Sequence, residues 1–197
     1  KAIDKMFEIR INNRRLMEDI YNELDISDES KIRVSKAIDK KSKISVTDFE
    51  KLLEVDAKLG ATTITAISNY LTDPLTMINK IYDTSKGAQE VRNILEMCEA
   101  QKISKYVKYD PEIMRGFDYY TGNIFEQFDM SSENTRSMYG GGRYDNLVET
   151  FIDKKIPGVG LGMGDVTMKL FLENWNLLPE NTISVDYFVT IWPGNND

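Results

Sequence analysis

The sequence contains no histidine and only one cysteine, Cys98. A catalytic triad that depends on histidine is therefore impossible, and we expect no zinc site built from the usual nitrogen and sulfur ligands. A single cysteine also excludes a disulfide within the chain. Its place among apolar residues predicts a small buried side chain. We expect no metal bound by the protein itself.

Long apolar runs are missing as well. No stretch approaches the ~20 apolar residues that a membrane-spanning helix needs, and no signal peptide opens the sequence. We therefore expect a cytoplasmic protein without a membrane partner. The 197 residues, of which 41% are hydrophobic and 29% charged, are enough for one large domain or two small ones.

Basic residues are too few to give the chain a positive charge. The net charge is −7, and the acidic excess lies entirely beyond residue 110. A protein that covers nucleic-acid phosphates is normally basic overall, so any such contact must be local. One basic run, between residues 31 and 43, contains Lys36, Lys40 and Lys41. This run is either a solvated helix face or a contact to a phosphate backbone.

The first half of the chain passes from a strand to helices. Residues 7–11 alternate apolar and charged side chains, which predicts a half-buried strand, and Asn12 is a candidate cap for the helix that follows. Short helical patterns over residues 28–83 predict a small all-helical domain. A longer amphipathic helix is predicted over residues 85–103. Its apolar stripe consists of Val91, Ile94, Leu95, Met97 and Cys98.

The second half of the chain switches to mixed strands and helices. Strands are predicted over residues 105–109, 119–129, 136–139 and 159–163. Helices are predicted over residues 144–152 and 166–175, the second one capped by Asp165. Residues 178–182 have the composition of a linker, and a new strand is predicted over residues 185–191. Strands that pair over long distances, with helices between them, are typical of an α+β domain.

Three blocks of sequence carry the candidate site. They are RGFDYYTG at residues 115–122, GGGRYD at residues 140–145 and GVGLGMGD at residues 158–165. Together they place one strong cation, several aromatic rings and bare backbone within about fifty residues, a combination that favours a small, flat, charged ligand.

The first block combines an arginine with two tyrosines. Arg115, next to a glycine, can bind a carboxylate or a phosphate through two parallel hydrogen bonds. Its alternative is an ion pair with Asp118 or Glu126. Tyr119 and Tyr120 fall in a predicted strand, so their rings would point to opposite faces. One ring would then lie in the core, and the other could cover a ligand.

The other two blocks are rich in glycine. Residues 140–142 remove three successive side chains between Tyr139 and Tyr144, which indicates either an unusual turn or backbone left bare for a planar ligand. Glycines at every second position from 158 to 164 would clear one face of a strand for a flat base or another backbone. Neither block has the spacing of the dinucleotide-binding fingerprint or of a Walker loop.

In this order and spacing, the three blocks resemble the histidyl-tRNA synthetase family. RGFDYYTG is similar to its second histidine-recognition signature, and GGGRYDNLV to the glycine-rich segment that follows. GVGLGMG is similar to the last signature of class II synthetases. The resemblance is specific for residues 105–175 and weaker for residues 6–24. It implies part of a class II antiparallel sheet with flanking helices, together with a small helical insertion.

The resemblance implies a ligase that activates L-histidine with ATP and transfers it to tRNA(His), with Mg²⁺ carried by the ATP. Arg115 would be the catalytic residue that contacts both the histidine carboxylate and the α-phosphate. The histidine pocket would further include Tyr119, Tyr120, Gly140, Gly141, Gly142 and Tyr144. Gly162 and Gly164 would lie under the adenine. The tRNA contacts would be Lys36, Lys40 and Lys41.

The resemblance also implies how the chain is divided. Residues 1–27 and 84–177 would form two parts of a catalytic core, and residues 28–83 the helical insertion. Residues 178–197 would be a linker and the start of an anticodon-binding domain. We expect the full-length protein to be a homodimer. We expect this chain alone to be inactive, because the segments that complete the family's site would precede Lys1.

One departure from the family keeps a second function open. The family places an arginine that stacks on ATP in the helix after the last glycines, whereas this sequence has Thr167 there. Lys169 would face elsewhere on that helix. Thr167 favours a non-catalytic paralogue, a histidine-binding regulatory subunit of histidine biosynthesis. The helical insertion and the strand at residues 185–191 favour the synthetase. A third possibility is an isolated α+β interaction module.

Overall fold

A computed structural model describes residues 5–114, 119–131, 133–134, 136–179, 187 and 189. Five strands form one sheet in the order β2-β1-β3-β4-β5. They are β1 (Phe7–Asn13), β2 (Val107–Tyr109), β3 (Asn123–Asp129), β4 (Ser137–Tyr144) and β5 (Gly158–Met163). The α+β class is confirmed. The sheet is mixed rather than purely antiparallel, because β1 and β2 run parallel.

Helices flank this sheet and fill the long connection between β1 and β2. They are α1 (Arg14–Glu23), α2 (Asp28–Lys40), α3 (Val46–Lys51), α4 (Ala61–Thr72), α5 (Pro74–Ile81), α6 (Lys86–Ala100) and α7 (Asp165–Asn174). A π-helical turn, Leu52–Asp56, extends α3. None of the helices in the described part of the chain has the length and apolar character needed to cross a membrane.

The predicted N-cap of α1 is wrong by one residue. Asn13, not Asn12, caps α1, and its side chain accepts a hydrogen bond from the amide of Leu16. Asn12 still belongs to the strand and is fully buried. β1 continues two residues further than predicted, so the cap moves with it.

Residues 28–83, all of which the structure describes, form only helices and turns, as predicted. Their buried side chains do not form a separate core. Val34, Leu53 and Ile67 belong to the same cluster as Leu16 of α1 and Val91 of α6. The boundaries proposed for a helical insertion stay a prediction.

Helix α6 packs directly on the start of α1. A Cβ added to Gly87 would lie 2.1 Å from the amide nitrogen of Leu16, so only glycine allows this approach. The predicted apolar stripe of α6 is partly wrong. Met97 is 60% exposed and Cys98 is only partly buried, whereas Val91 lies in the core.

The predicted helix over residues 144–152 is absent. β4 runs on to Tyr144, and the chain then makes only a short 3-10 turn, Val148–Thr150. The amide of Asp145 donates to Thr121 Oγ1 (3.0 Å), so it is held in a loop contact rather than in a helix. Leu147 and Phe151 are exposed and have no core to face.

Helix α7 begins one residue earlier than predicted. Gly164 is its N-cap residue and Asp165 its first helical residue, with the Asp165 carboxylate accepting from the amide of Val166. The predicted strand over residues 185–191 lies outside the described residues, apart from two isolated positions.

Candidate functional site

The glycines of β4 and β5 clear one face of the sheet, here called the front face. In antiparallel strands, residues directly opposite each other point to the same side. Gly140 lies opposite both Glu126 of β3 and Gly162 of β5. Gly142 lies opposite Gly160 in the same way. The front face therefore has bare backbone across two neighbouring strands, as the glycine pattern predicted.

Tyrosine rings occupy much of that bare backbone. A Cβ added to Gly158 would lie 2.5 Å from the Tyr144 ring, and one added to Gly160 would lie 2.9 Å from the Tyr144 hydroxyl oxygen. A Cβ added to Gly142 would in the same way lie 2.8 Å from Cδ1 of the Tyr120 ring. These glycines seat the protein's own tyrosines, not a ligand directly.

Gly162 is different, because nothing lies within 4 Å of the position a Cβ would take. At Gly162, the backbone of β5 is left uncovered on the front face. Gly164, predicted to lie under the same ligand, is instead covered, since its Cβ would lie 2.5 Å from Thr167 Oγ1.

Gly141 serves the contact between strands. A Cβ there would lie 2.2 Å from the carbonyl oxygen of Gly160 and 2.8 Å from Cα of Leu161. The interpretation of residues 140–142 as a turn is wrong, because all three lie within β4.

Tyr119 and Tyr120 precede β3 and do not alternate along a strand. Their rings pack on each other, with centroids 4.2 Å apart at 43°. The prediction of opposite faces is therefore wrong. Burial, together with the neighbouring Tyr119 hydroxyl, raises the pKa of Tyr120 to about 12. The Tyr120 hydroxyl therefore stays protonated near neutral pH and can donate a hydrogen bond.

A cavity of about 230 Å³, here called the glycine cavity, lies between these rings and the sheet. It brings together four residues predicted for the histidine pocket, namely Tyr119, Tyr120, Gly140 and Gly141. Its wall also includes Ile113, Ile124, Phe125 and Glu126. The cavity is smaller than the roughly 300–1,000 Å³ typical of drug-sized ligands, so a ligand the size of an amino acid suits it better. Glu126 makes one side acidic.

The remaining predicted residues have different outcomes. Tyr144 lies on the front face above β5, outside the glycine cavity. Arg115 lies outside the described residues, directly after Met114, which is buried. Tyr119 and Tyr120 also line a larger cleft of about 790 Å³, whose charged residues are of both signs.

An ionic network fixes the end of β4. The guanidinium of Arg15 contacts carboxylates of both Glu90 and Asp145, the second at 2.8 Å. Arg143 contacts the other oxygen of Asp145 at 2.8 Å, and the amide of Thr121 donates to the Arg143 carbonyl. These bonds hold Tyr144 between two anchored neighbours.

Asp145 is ionised within that network. Burial alone would raise the pKa of this carboxyl, but hydrogen bonds from Arg143 and Thr121, together with the charge of Arg15, outweigh it and hold the pKa below its usual value. Sequence reasoning missed Arg15 and Thr121. Arg15 lies 130 positions from Asp145 in the chain, and nothing in the local pattern of α1 indicated the contact.

Thr167 is turned back onto the start of its own helix. Its hydroxyl donates either to the carbonyl of Met138 (3.1 Å) or to that of Gly164 (3.2 Å). Lys169 is largely exposed and pairs with Glu173. Neither side chain takes the place of the missing arginine on the front face.

The basic run of α2 is partly neutralised. Lys31 pairs with Glu18 and Asp28, and Lys41 contacts Glu112 at 2.6 Å. Lys36 and Lys40, one helical turn apart, are exposed and form no ion pair within the described part of the chain. Within the same residues, no cluster of three or more metal-binding side chains occurs.

Comparison with known proteins agrees with this geometry. A model of the family described as histidyl-tRNA synthetase matches residues 3–165. A histidine–tRNA ligase of Leptospira biflexa is 34% identical over 187 residues, which are 94% of this chain and 43% of that protein. The chain thus spans less than half the length of this relative.

Solved structures show the same fold. The histidyl-tRNA synthetase from Nostoc sp. PCC 7120 superposes with a TM-score of 0.76 at 27% identity, over 88% of this chain and 43% of that one. A Bacillus halodurans structure described as an ATP phosphoribosyltransferase regulatory subunit/histidyl-tRNA synthetase has a TM-score of 0.66 at 19% identity, over 85% of this chain and 44% of that one. The second likeness shows the fold alone. The family match over most of the sequence, with the shared sheet and the glycine-lined front face, shows that this chain belongs to the histidyl-tRNA synthetase family.

Proposed function

We propose that this chain supplies the histidine pocket and part of the ATP surface of a histidine–tRNA ligase. The glycine cavity carries this proposal. Two tyrosine rings, the strand backbone at Gly140, Ile113 and the acidic side chain of Glu126 enclose about 230 Å³. An amino acid with a flat, basic side chain matches that combination of size, shape and charge. The curated relatives, named histidine–tRNA ligases, support it.

The proposed chemistry begins with two anions. A carboxylate oxygen of histidine attacks the α-phosphorus of ATP, the bond to the oxygen bridging to the β-phosphate breaks, and pyrophosphate leaves. The products are histidyl-adenylate and pyrophosphate. A hydroxyl of tRNA(His) then takes the histidyl group, the anhydride bond to the adenylate breaks, and AMP leaves. A cation that offsets charge on the transferring phosphorus lowers this barrier. Arg115 is the residue we assign to that role. Magnesium would enter with ATP, and the ligase would act as a homodimer.

A histidine-binding regulatory protein is the second candidate function. Thr167 favours it, because its hydroxyl is bound to the carbonyl of Met138 or of Gly164 and the side chain carries no positive charge to stack on a nucleotide. A regulator would need the glycine cavity but not the open backbone at Gly162. Nucleotide use therefore separates the two functions.

Histidine-dependent exchange between ATP and pyrophosphate tests the proposal directly. It should be measured on this chain and on a longer protein that contains it. Exchange by the longer protein supports the ligase. Histidine binding without exchange in either protein indicates the regulator, and absence of both contradicts both functions. Because this chain contains no histidine, every imidazole signal in an NMR titration of it comes from the ligand.

Gly162→Ala should separate ATP binding from folding. The added methyl group meets no atom within 4 Å, so stability should hardly change. If the adenine lies on this backbone, the KM for ATP should rise about tenfold, equivalent to about 1.4 kcal/mol, with the KM for histidine unchanged. Met163→Ala, the neighbouring exposed position on the opposite face of β5, is the control. If the KM for ATP were the same in wild type and Gly162→Ala, Gly162 would not be part of the ATP site.

Replacing Lys36 and Lys40 together with alanine should weaken tRNA binding. For every phosphate that is no longer neutralised, the slope of log affinity against log salt should fall by about 0.9, so the pair should reduce it by about 2. Lys41 is left out because it already contacts Glu112. Lys51 and Lys154, also exposed, give a control with the same reduction of charge. An unchanged slope in the Lys36/Lys40 variant would make this surface a solvated helix face.

A further inference from the structure

A buried chain of hydrogen bonds joins the helical segment to the glycine cavity. Tyr70 of α4 and Tyr109 of β2 bring their hydroxyl oxygens to 2.5 Å. The Tyr109 hydroxyl then reaches Oδ1 of Asn12 at 3.0 Å. All three side chains are at most 6% exposed, so water does not replace these bonds. Residues far apart in sequence thus share one polar path through an apolar core.

The donor-to-acceptor direction of this series of hydrogen bonds follows from the number of protons that each hydroxyl can donate. A tyrosine hydroxyl has one proton to donate. Tyr109 gives its proton to Asn12 Oδ1, so Tyr70 is the donor in the bond between the two tyrosines. The same Tyr70 proton also faces Met17 Sδ, at a longer distance of 3.2 Å. Burial raises the pKa of both tyrosines, and both protons therefore stay in place near neutral pH. Bonds aligned in one direction polarise each other.

Asn12 extends this series of hydrogen bonds to an irregular segment of the polypeptide. Its Nδ2 donates to the carbonyls of Pro111 (3.2 Å) and Ile113 (3.0 Å). These two acceptors fix the orientation of the amide, because Oδ1 must then face Tyr109. Ile113 lines the glycine cavity, and the segment 111–114 continues directly into Arg115.

A second contact reaches the same segment from the helical part. Lys41, at the end of α2, contacts Glu112 at 2.6 Å. The amides of Glu112 and Ile113 donate to the side chain and the carbonyl of Asp110, at 2.9 and 3.2 Å. The segment 111–114 has no regular secondary structure, so its shape depends on these side-chain contacts.

We propose that Tyr70 is a positioning residue, which sets the conformation of residues 111–114 through Tyr109 and Asn12. The helical segment is in this way mechanically linked to the wall of the cavity at Ile113. The link itself is a property of the fold. Its effect on adenylation rests on the proposed function.

Tyr70→Phe tests the link by removing one oxygen atom. Amide hydrogen exchange, read by NMR on this chain, should become about tenfold faster at Glu112 and Ile113. Tyr21→Phe is the matched control, because Tyr21 is also buried and its hydroxyl forms a hydrogen bond with Ser35 (2.9 Å) on α2, not with Tyr109 or Asn12. It should leave both amides as slow as in wild type. Tyr109→Phe, which removes the donor to Asn12, should reproduce the effect of Tyr70→Phe.

The kinetic readout separates this proposal from the proposed function. In a protein with exchange activity, Tyr70→Phe should lower kcat about tenfold with little change in the KM for ATP, whereas Tyr21→Phe should not. Lack of exchange by the longer wild-type protein contradicts the ligase, and the amide measurement on this chain still decides the link. The proposal would be overturned if amide hydrogen exchange at Glu112 and Ile113 were as slow in Tyr70→Phe as in wild type. It would also be overturned if Tyr21→Phe accelerated this exchange as much as Tyr70→Phe does.

Discussion

Arg115→Ala is expected to lower histidine-dependent pyrophosphate exchange by about 10²-fold or more, as loss of one charge contact in a transition state commonly does. The reason is electrostatic, since a carboxylate and a triphosphate repel each other until a cation lies between them. Because the contact is made in the transition state, kcat should fall more than the KM for histidine rises. Initial exchange rates at several histidine and ATP concentrations measure this.

Two further variants make the Arg115 result specific. Arg115→Lys keeps the charge but loses the pair of parallel hydrogen bonds, so its activity should lie between wild type and alanine. Arg136→Ala removes an exposed cation just before β4 and should be close to wild type. Near-normal exchange by Arg115→Ala would end the assignment of this residue to the reaction.

Gly87→Ala is expected to cost about 3 kcal/mol of folding stability, at the upper end of overpacking effects. The new methyl group would lie 2.1 Å from the amide nitrogen of Leu16 and 2.5 Å from its Cα. Both are backbone atoms, so no side-chain rotation relieves the clash and α6 must move away from α1. For a chain of this length the melting temperature should fall by about 10 °C.

Gly60→Ala is the control for this substitution, because nothing lies within 4 Å of its added methyl group. Urea unfolding of both variants gives the difference in free energy. A change below about 0.5 kcal/mol in Gly87→Ala would mean that the two helices yield easily. Displacement of α1 would also move Arg15, so the contact to Asp145 should weaken in the same variant.

The periodic parts of the fold were predictable from sequence. Alternation at residues 7–11 and glycine at every second position from 158 to 162 identified β1 and β5 correctly, because strand periodicity is local. The glycine pattern also identified the front face of the sheet. Its occupants were harder to predict, because Tyr144 fills the space above Gly158 and Gly160, and no spacing rule pairs a tyrosine with glycines on another strand.

Local patterns failed where tertiary contacts decide the conformation. Residues 144–152 have helical spacing, but Tyr144 still pairs with Gly158 in the sheet and Asp145 is held by Arg15 and Arg143, so no helix begins there. Tyr119 and Tyr120 look like strand residues, yet they stack on each other ahead of β3. The link from Tyr70 to Asn12 joins elements whose proximity only the folded chain creates.

The sheet order has a consequence for synthesis on the ribosome. β1 lies between β2 and β3, and its residue Ile9 pairs with Val107 and Gln127. Both partner strands are made roughly a hundred residues later, which at 5–20 residues per second leaves β1 unpaired for several seconds. During that time α1 to α5 can form, since their contacts are local. Helices α1 and α6, which pack on β1 and are complete before β2 is made, would then shield one side of β1 before β2 and β3 can pair with it. This would protect the nascent chain from edge-to-edge association.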